Sequence, residues 1–122
     1  MFPPVIFIIA QPGIVAFFKE ELSSQGYVIF GKTTAREALR YLVIKPHLVL
    51  IFDHFIENEP DIVQLCCKLH TRLAASTPML VVTDRITRDL IAPFTTTTYD
   101  YIGGVGAVIA HIQAVLPIST KL

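Results

Sequence analysis

The segment His47-Leu48-Val49-Leu50-Ile51-Phe52-Asp53 decides the fold of this chain. Its middle five residues are all apolar, whereas a strand with one face in water would alternate between apolar and polar residues. An unbroken apolar run of this length, with Pro46 before it, is typical of a parallel strand that is covered on both faces. The segment therefore predicts a central strand of a layered α/β sheet, with Asp53 at its carboxyl-terminal end.

Four other apolar runs lie before and after this segment, and helical patterns separate all five. The runs are residues 5–9, 27–30, 79–82 and 99–102, and the helical patterns are residues 14–24, 35–43, 60–69, 87–91 and 105–116. Because strands and helices alternate strictly, we expect parallel strands joined by right-handed crossovers. The predicted fold class is α/β: a doubly wound five-stranded parallel sheet of the flavodoxin-like order 2-1-3-4-5, in a three-layer sandwich.

The periodicity of two of these helices predicts which side chains face the sheet. They are Ile14, Phe17, Phe18 and Leu22 in the first helix, and Ile62, Leu65, Cys66 and Leu69 in the third. The two cysteines, Cys66 and Cys67, are neighbours, which strains a disulfide, and they lack the spacing of metal ligands. We interpret them as small apolar residues of a helix in a reducing, cytoplasmic protein.

The composition indicates one compact domain that binds neither nucleic acid nor a membrane. The chain has 122 residues, of which 52% are hydrophobic and 16% charged, and its formal net charge is zero. Its lysines and arginines are scattered along the sequence, which argues against a nucleic-acid surface. Residues 5–10 form the longest clean apolar stretch near the start, and they are too few to span a bilayer. We assign residues 1–117 to the domain, and residues 118–122 to a tail or to the start of a link to an effector domain.

The order and spacing of these segments resemble the receiver domain of two-component response regulators over nearly the whole chain. Residues 37–39 and 46–53 look like the second helix and third strand of that family, residues 77–83 like its fourth strand, and residues 100–102 like the start of its fifth. The resemblance implies a CheY-like fold. It also makes Asp53 the counterpart of the phosphoacceptor, and Thr83 and Tyr101 the counterparts of the switch pair.

Two departures from the family pattern bear on function. Receivers carry a pair of carboxylates after strand one that hold Mg²⁺ together with the acceptor. Here the corresponding residues are Ala10 and Gln11, or Ile9 and Ala10 if the gap is placed differently, and neither choice supplies a carboxylate. Receivers also carry a lysine at the end of strand five, and here that position is Gly104. Because phosphoryl transfer depends on positioned positive charge, we expect no enzymatic activity, no metal site and no cofactor. Weak Mg²⁺ binding is expected only if Asp53 is active.

These observations favour a degenerate receiver, or pseudo-receiver, that serves as a protein-interaction or dimerisation module in signalling or transcription control. The resemblance implies contact with a protein partner, or with a second copy, through the face made by helix four, strand five and helix five. Ile91, Phe94 and Val108 are the candidate exposed residues of that face. Two alternatives stay open: a phosphorelay receiver phosphorylated at Asp53, and a flavodoxin-like small-molecule binder that uses the glycines at 103–106 and the vacated acidic pocket.

Overall fold

A computed structural model describes residues 3–40, 42, 45–52, 62–74, 76–83, 89–94, 97–99 and 104–118. Strands and helices alternate through this part of the chain. The strands are β1 (Val5–Ile9), β2 (Val28–Lys32), β3 (Leu48–Phe52), β4 (Met79–Val82) and β5 (Thr97–Tyr99). The helices are α1 (Pro12–Ser23), α2 (Ala35–Arg40), α3 (Ile62–Arg72), α4, whose described residues are 89–91, and α5 (Gly104–Val115). A 3₁₀ turn, Ala92–Phe94, follows α4.

The five strands form one parallel sheet in the order β2-β1-β3-β4-β5. β3 pairs with β1 through Ile51 and Ile9, and with β4 through Phe52 and Val82. This is the predicted doubly wound topology, in which the direction of strand order switches between the neighbouring strands β1 and β3. The prediction of the fold class is confirmed.

Each face of the sheet packs against its own set of helices. One apolar cluster includes Ile8, Leu50 and Phe52 of the strands with Phe18 of α1 and Ile112 of α5. The other cluster joins alternate strand residues to α2, α3 and α4. Successive side chains of a strand point to opposite faces, so one uninterrupted apolar run supplies both clusters.

Three boundaries differ from the sequence predictions. α1 begins at Pro12 because the fixed φ of proline suits the first helical turn, where its missing N–H costs nothing. β2 continues to Lys32, past the end of its apolar run. β5 begins at Thr97 and pairs with Leu80, because a run of β-branched threonines favours an extended chain.

The inner faces of the helices are mostly as predicted. All four residues predicted for α3 are buried. In α1, Phe18 and Leu22 are buried, but Phe17 is 45% exposed, so its placement on the inner face was wrong. Phe17 instead packs its ring edge-on against Phe18, with the ring centroids 5.3 Å apart.

The turn after α1 holds the end of α5. Gly26 ends α1 with φ 104°, a conformation that favours glycine, and Ile118 packs beside it. The hydroxyl of Tyr27 donates a hydrogen bond of 2.5 Å to the carbonyl oxygen of Leu116. A buried phenol therefore satisfies a carbonyl just beyond the last turn of α5, and ties the chain after that helix to the turn.

Tyr27→Phe should remove this donor and lower the free energy of unfolding by about 1–2 kcal/mol at neutral pH. Burial raises the pKa of the Tyr27 hydroxyl above its ordinary value of 10.0, because desolvation disfavours the phenolate. A folded-state pKa above the unfolded one means that the stabilisation is complete below about pH 10 and is lost as the pH rises through the folded-state value. Chemical denaturation across this alkaline range should therefore show a steeper loss of stability in the wild-type protein than in Tyr27→Phe. Parallel pH profiles for the two proteins would contradict this role.

Candidate functional site at the carboxyl edge of the sheet

The parallel sheet brings the predicted site residues to one edge. Ala10 directly follows β1, Thr83 directly follows β4, and β3 ends between them at Phe52. Asp53 and Tyr101, two of the predicted site residues, lie outside the described part of the chain. Their assigned roles therefore stay predictions, whereas the walls of the site on the β1 and β4 sides are visible.

Ala10 is part of the apolar core. Its exposed fraction is 0%, and it belongs to the cluster that contains Phe18 and Phe52, whose ring centroids lie 5.3 Å apart. Its N–H donates a hydrogen bond of 3.1 Å to the carbonyl oxygen of Lys32. The first position of the missing acidic pair is therefore occupied by a methyl group in an apolar setting, where a carboxylate would be costly to bury.

Gln11 has the opposite environment. It is exposed and caps the N-terminus of α1, and its carbonyl oxygen accepts hydrogen bonds of 3.0 Å from the N–H groups of Ile14 and Val15. Its side chain makes no capping hydrogen bond. This position suits an acid, because a helix N-terminus favours negative charge, but the sequence supplies a neutral amide instead.

Thr83 and Gly104 complete the described part of the edge. Among the described residues, Thr83 is the only polar residue that is buried, with an exposed fraction of 0%. Gly104 opens α5 and has no side chain that could carry the positive charge of the family's lysine. Among the described residues, no group of three His, Cys, Asp or Glu side chains comes together as a metal site.

Lys32 is a residue at this edge that the sequence interpretation did not identify. It is the last residue of β2 and pairs in register with Ile9, one residue before Ala10. The apolar run of the second strand ends at Phe30, so the sequence pattern gave no signal that the strand continues to a lysine. This edge therefore has a lysine at the end of β2, whereas Gly104 occupies the position of the family's lysine.

The face predicted to contact a partner is built from other residues than those proposed. Ile91 and Val108 are fully buried, Ile91 against the α3 side of the sheet and Val108 against the α1 side. Their prediction as exposed residues was wrong, because these helix residues point to the sheet. Phe94 is partly buried, and its ring centroid lies 5.9 Å from that of His70.

The exposed surface of this face comes mainly from α5 and α4. The outward residues of α5 are small or uncharged: Gly106, Ala107, Ala110, Gln113, Ala114 and Val115. Leu90 of α4 is 59% exposed, and Val115 is 42% exposed. No Asp, Glu, Lys or Arg occurs between residues 101 and 120. The outward side of α5 is therefore uncharged over the whole length of the helix.

Comparisons with known proteins identify the fold. No known protein-family model matches the sequence, and no curated protein matches it either. Solved structures do match. A two-component response regulator from Clostridium difficile has a TM-score of 0.78 at 16% identity, covering 93% of this chain and 95% of that one. The signal receiver domain of an HD domain-containing protein from Pseudomonas fluorescens Pf-5 has a TM-score of 0.75 at 20% identity, covering 95% and 88% of the two chains.

A third match is the BeF3-activated N-terminal receiver domain of Klebsiella pneumoniae RstA, with a TM-score of 0.75 at 14% identity over 94% of this chain and 99% of that one. These TM-scores establish the fold of the chain. At identities this low, its chemistry must be inferred from its own residues. The chain therefore has the CheY-like fold of response-regulator receiver domains. In the described part of the chain, no helix has the length and apolar character that a membrane span requires.

Replacing the two residues at the acidic-pair positions should have opposite effects on stability. Ala10→Asp places a carboxylate in the apolar cluster, so we expect the free energy of unfolding to fall by at least about 3 kcal/mol at neutral pH. Gln11→Asp supplies an acidic N-cap at an exposed position, so we expect no loss and a gain of up to about 1 kcal/mol. Urea denaturation of the two variants measures both effects. An Ala10→Asp variant as stable as the wild type would show that this pocket accepts a hydrated charge.

Proposed function

We propose that this chain is a pseudo-receiver: a receiver-fold signalling module that acts by binding a protein and not by phosphoryl transfer. The uncharged outward face of α5 is the observation that carries this proposal. The module would act in the cytoplasm, as part of a regulator of signalling or transcription. It would need no cofactor and catalyse no reaction.

The outward face of α5 differs from those of the other helices. α1 exposes Lys19, Glu20 and Glu21, and α3 exposes Lys68 and Arg72, as expected for helices in water. α5 exposes only glycine, alanine, glutamine and valine. Charged residues are depleted at the centres of protein interfaces.

A second copy of the chain is the partner that these features favour. The formal net charge is zero, so long-range repulsion between copies is weak. The exposed residues include Leu90 and Val115, which are large enough to bury apolar area when two such faces meet. A twofold interface brings the same patch of both copies together, so one uncharged face is sufficient.

The chemistry of the carboxyl edge supports the same proposal. A receiver holds Mg²⁺ with oxygen ligands from its acidic pair, and this chain has a buried methyl group and an exposed amide at those positions. It also has glycine at the lysine position. Asp53 would therefore act without the charges that make phosphoryl transfer fast in the family.

Ala110→Glu should abolish self-association, because it places one charge from each copy in the proposed interface, where they repel and must be desolvated. The matched control is Ala16→Glu, which makes the same change at an exposed alanine of α1. Sedimentation equilibrium should show a concentration-dependent dimer for the wild type and for Ala16→Glu, with at least roughly tenfold weaker association for Ala110→Glu. A wild-type chain that stays monomeric at high concentration would exclude a second copy as the partner. Equal weakening by both variants would exclude α5 as the interface.

A phosphorylatable receiver is the second candidate function, favoured by the buried residue Thr83, which directly follows the strand beside the one that precedes Asp53. The pseudo-receiver proposal predicts that acetyl phosphate and Mg²⁺ add no phosphoryl group under conditions that fully label an ordinary receiver. Intact-mass spectrometry measures this, with Asp53→Asn as the control. Addition of one phosphoryl group to the wild type and none to Asp53→Asn would establish the second candidate and end the first.

A further inference from the structure

A groove runs along the amino-terminal edge of the sheet, opposite the candidate site. It consists of two adjoining cavities of about 280 and 460 Å³ that share Lys45, Pro46, Ala74 and Thr77. The smaller cavity extends along the end of α3, and the larger one reaches the end of α5. The volume of the larger cavity is in the range of small-molecule sites, and that of the smaller one is just below it.

Among the described residues that line the groove, two are cationic and none is acidic. Lys45 lines both cavities and Arg72 lines the smaller one, and neither lining contains an Asp or a Glu. Nη1 of Arg72 donates a hydrogen bond of 2.6 Å to the carbonyl oxygen of Leu39. A guanidinium has five N–H donors, so this contact fixes its position and leaves the other donors for a ligand.

His47 adds a neutral donor. Its Nδ1 accepts a hydrogen bond of 2.9 Å from the N–H of Val5. A neutral imidazole that accepts at Nδ1 carries its proton on Nε2, and His47 lines the larger cavity beside the hydroxyl-bearing residues Ser76 and Thr77. The groove therefore presents several hydrogen-bond donors of different types along one edge.

Apolar side chains supply the rest of the walls. Leu73 lines the smaller cavity, and Pro78 and Leu116 line the larger one. The carboxyl ends of α3 and α5 lie here, and their carbonyl groups alone would favour a cation. Any attraction for an anion must therefore come from Lys45 and Arg72, which makes their contribution separable by mutation.

We infer that this groove binds a small organic anion, whose carboxylate or phosphate group contacts Lys45 and Arg72 and whose apolar part lies along the leucine and proline walls. The inference does not rest on the pseudo-receiver proposal, because the groove lies at the other edge of the sheet from Ala10 and Thr83 and is tested with ligands and not with partners.

Nuclear magnetic resonance titration of the isotope-labelled full chain tests the inference. The probes are octanoate, octyl phosphate and octanol, which share an apolar tail and differ in the head group, together with inorganic phosphate, which lacks the tail. We expect saturable amide shifts centred on residues 45–47 and 72–77 with the two amphipathic anions. Octanol and inorganic phosphate should each bind at least roughly tenfold more weakly.

Lys45→Gln should weaken binding of both anions by roughly tenfold, because one charge-assisted hydrogen bond is lost. The matched control is Lys68→Gln, which removes an exposed cation of α3, one turn before Arg72 and outside the groove, and should bind like the wild type. Arg72→Gln also removes the bond to Leu39, so its affinity is compared only after its unfolding transition has been shown to match the wild type. The inference is overturned by shifts that do not saturate, by shifts centred on Ala10 and Thr83, by octanol binding as tightly as octanoate, or by equal weakening in the Lys45 and Lys68 variants.

Discussion

The burial of β3 on both faces is the constraint on which the rest of the structure depends. None of its five side chains is more than 2% exposed, and its backbone pairs with β1 on one side and β4 on the other. Each buried aliphatic or aromatic side chain of this kind contributes roughly 1.5–3 kcal/mol of hydrophobic stabilisation. A strand covered in this way needs helices on both faces, so the alternation of strands and helices along the chain and the order of the sheet follow from it.

The same constraint extends to the carboxyl edge and limits its chemistry. Ala10 continues the face of β1 that contains Ile6 and Ile8, and the apolar cluster of that face reaches it. Phosphoryl-transfer receivers need carboxylates at this place, where an ionised group must be solvated or paired with a cation. Here Ala10 occupies the position and is packed in the apolar core. The position therefore lacks an acid and is also closed to solvent. The change is structural as well as chemical, which is why restoring the acid at Gln11 is easier than restoring it at Ala10.

The sequence predicted the sheet well because β-branched and aliphatic runs of four to six residues mark buried parallel strands directly. It predicted the site residues by resemblance. Ala10 and Thr83 follow β1 and β4 at the same edge of the sheet, and the roles assigned to them stay predictions. It failed where periodicity carries no information. α5 has no charged residue to mark its outward side, so Val108 was taken as exposed although it is buried. Lys32 was missed for a related reason, because β2 continues past its apolar residues through backbone pairing with β1, which side-chain patterns do not encode.

The described residues at the two edges of the sheet depart from the pattern that is usual for this fold. In a doubly wound sheet the carboxyl edge is the ordinary ligand site, because strand ends and helix N-termini meet there. In this chain the described part of that edge has an alanine in the core, an exposed glutamine, a buried threonine and a glycine, with Lys32 at the end of β2. The amino-terminal edge, where helix carbonyls would repel an anion, has cavities lined by a lysine and an arginine. The pseudo-receiver proposal accounts for this pattern, because a module that acts by binding a protein does not need the family's charges at the first edge. Both recognition surfaces proposed above, the outward side of α5 and the groove at the amino-terminal edge, lie away from that edge.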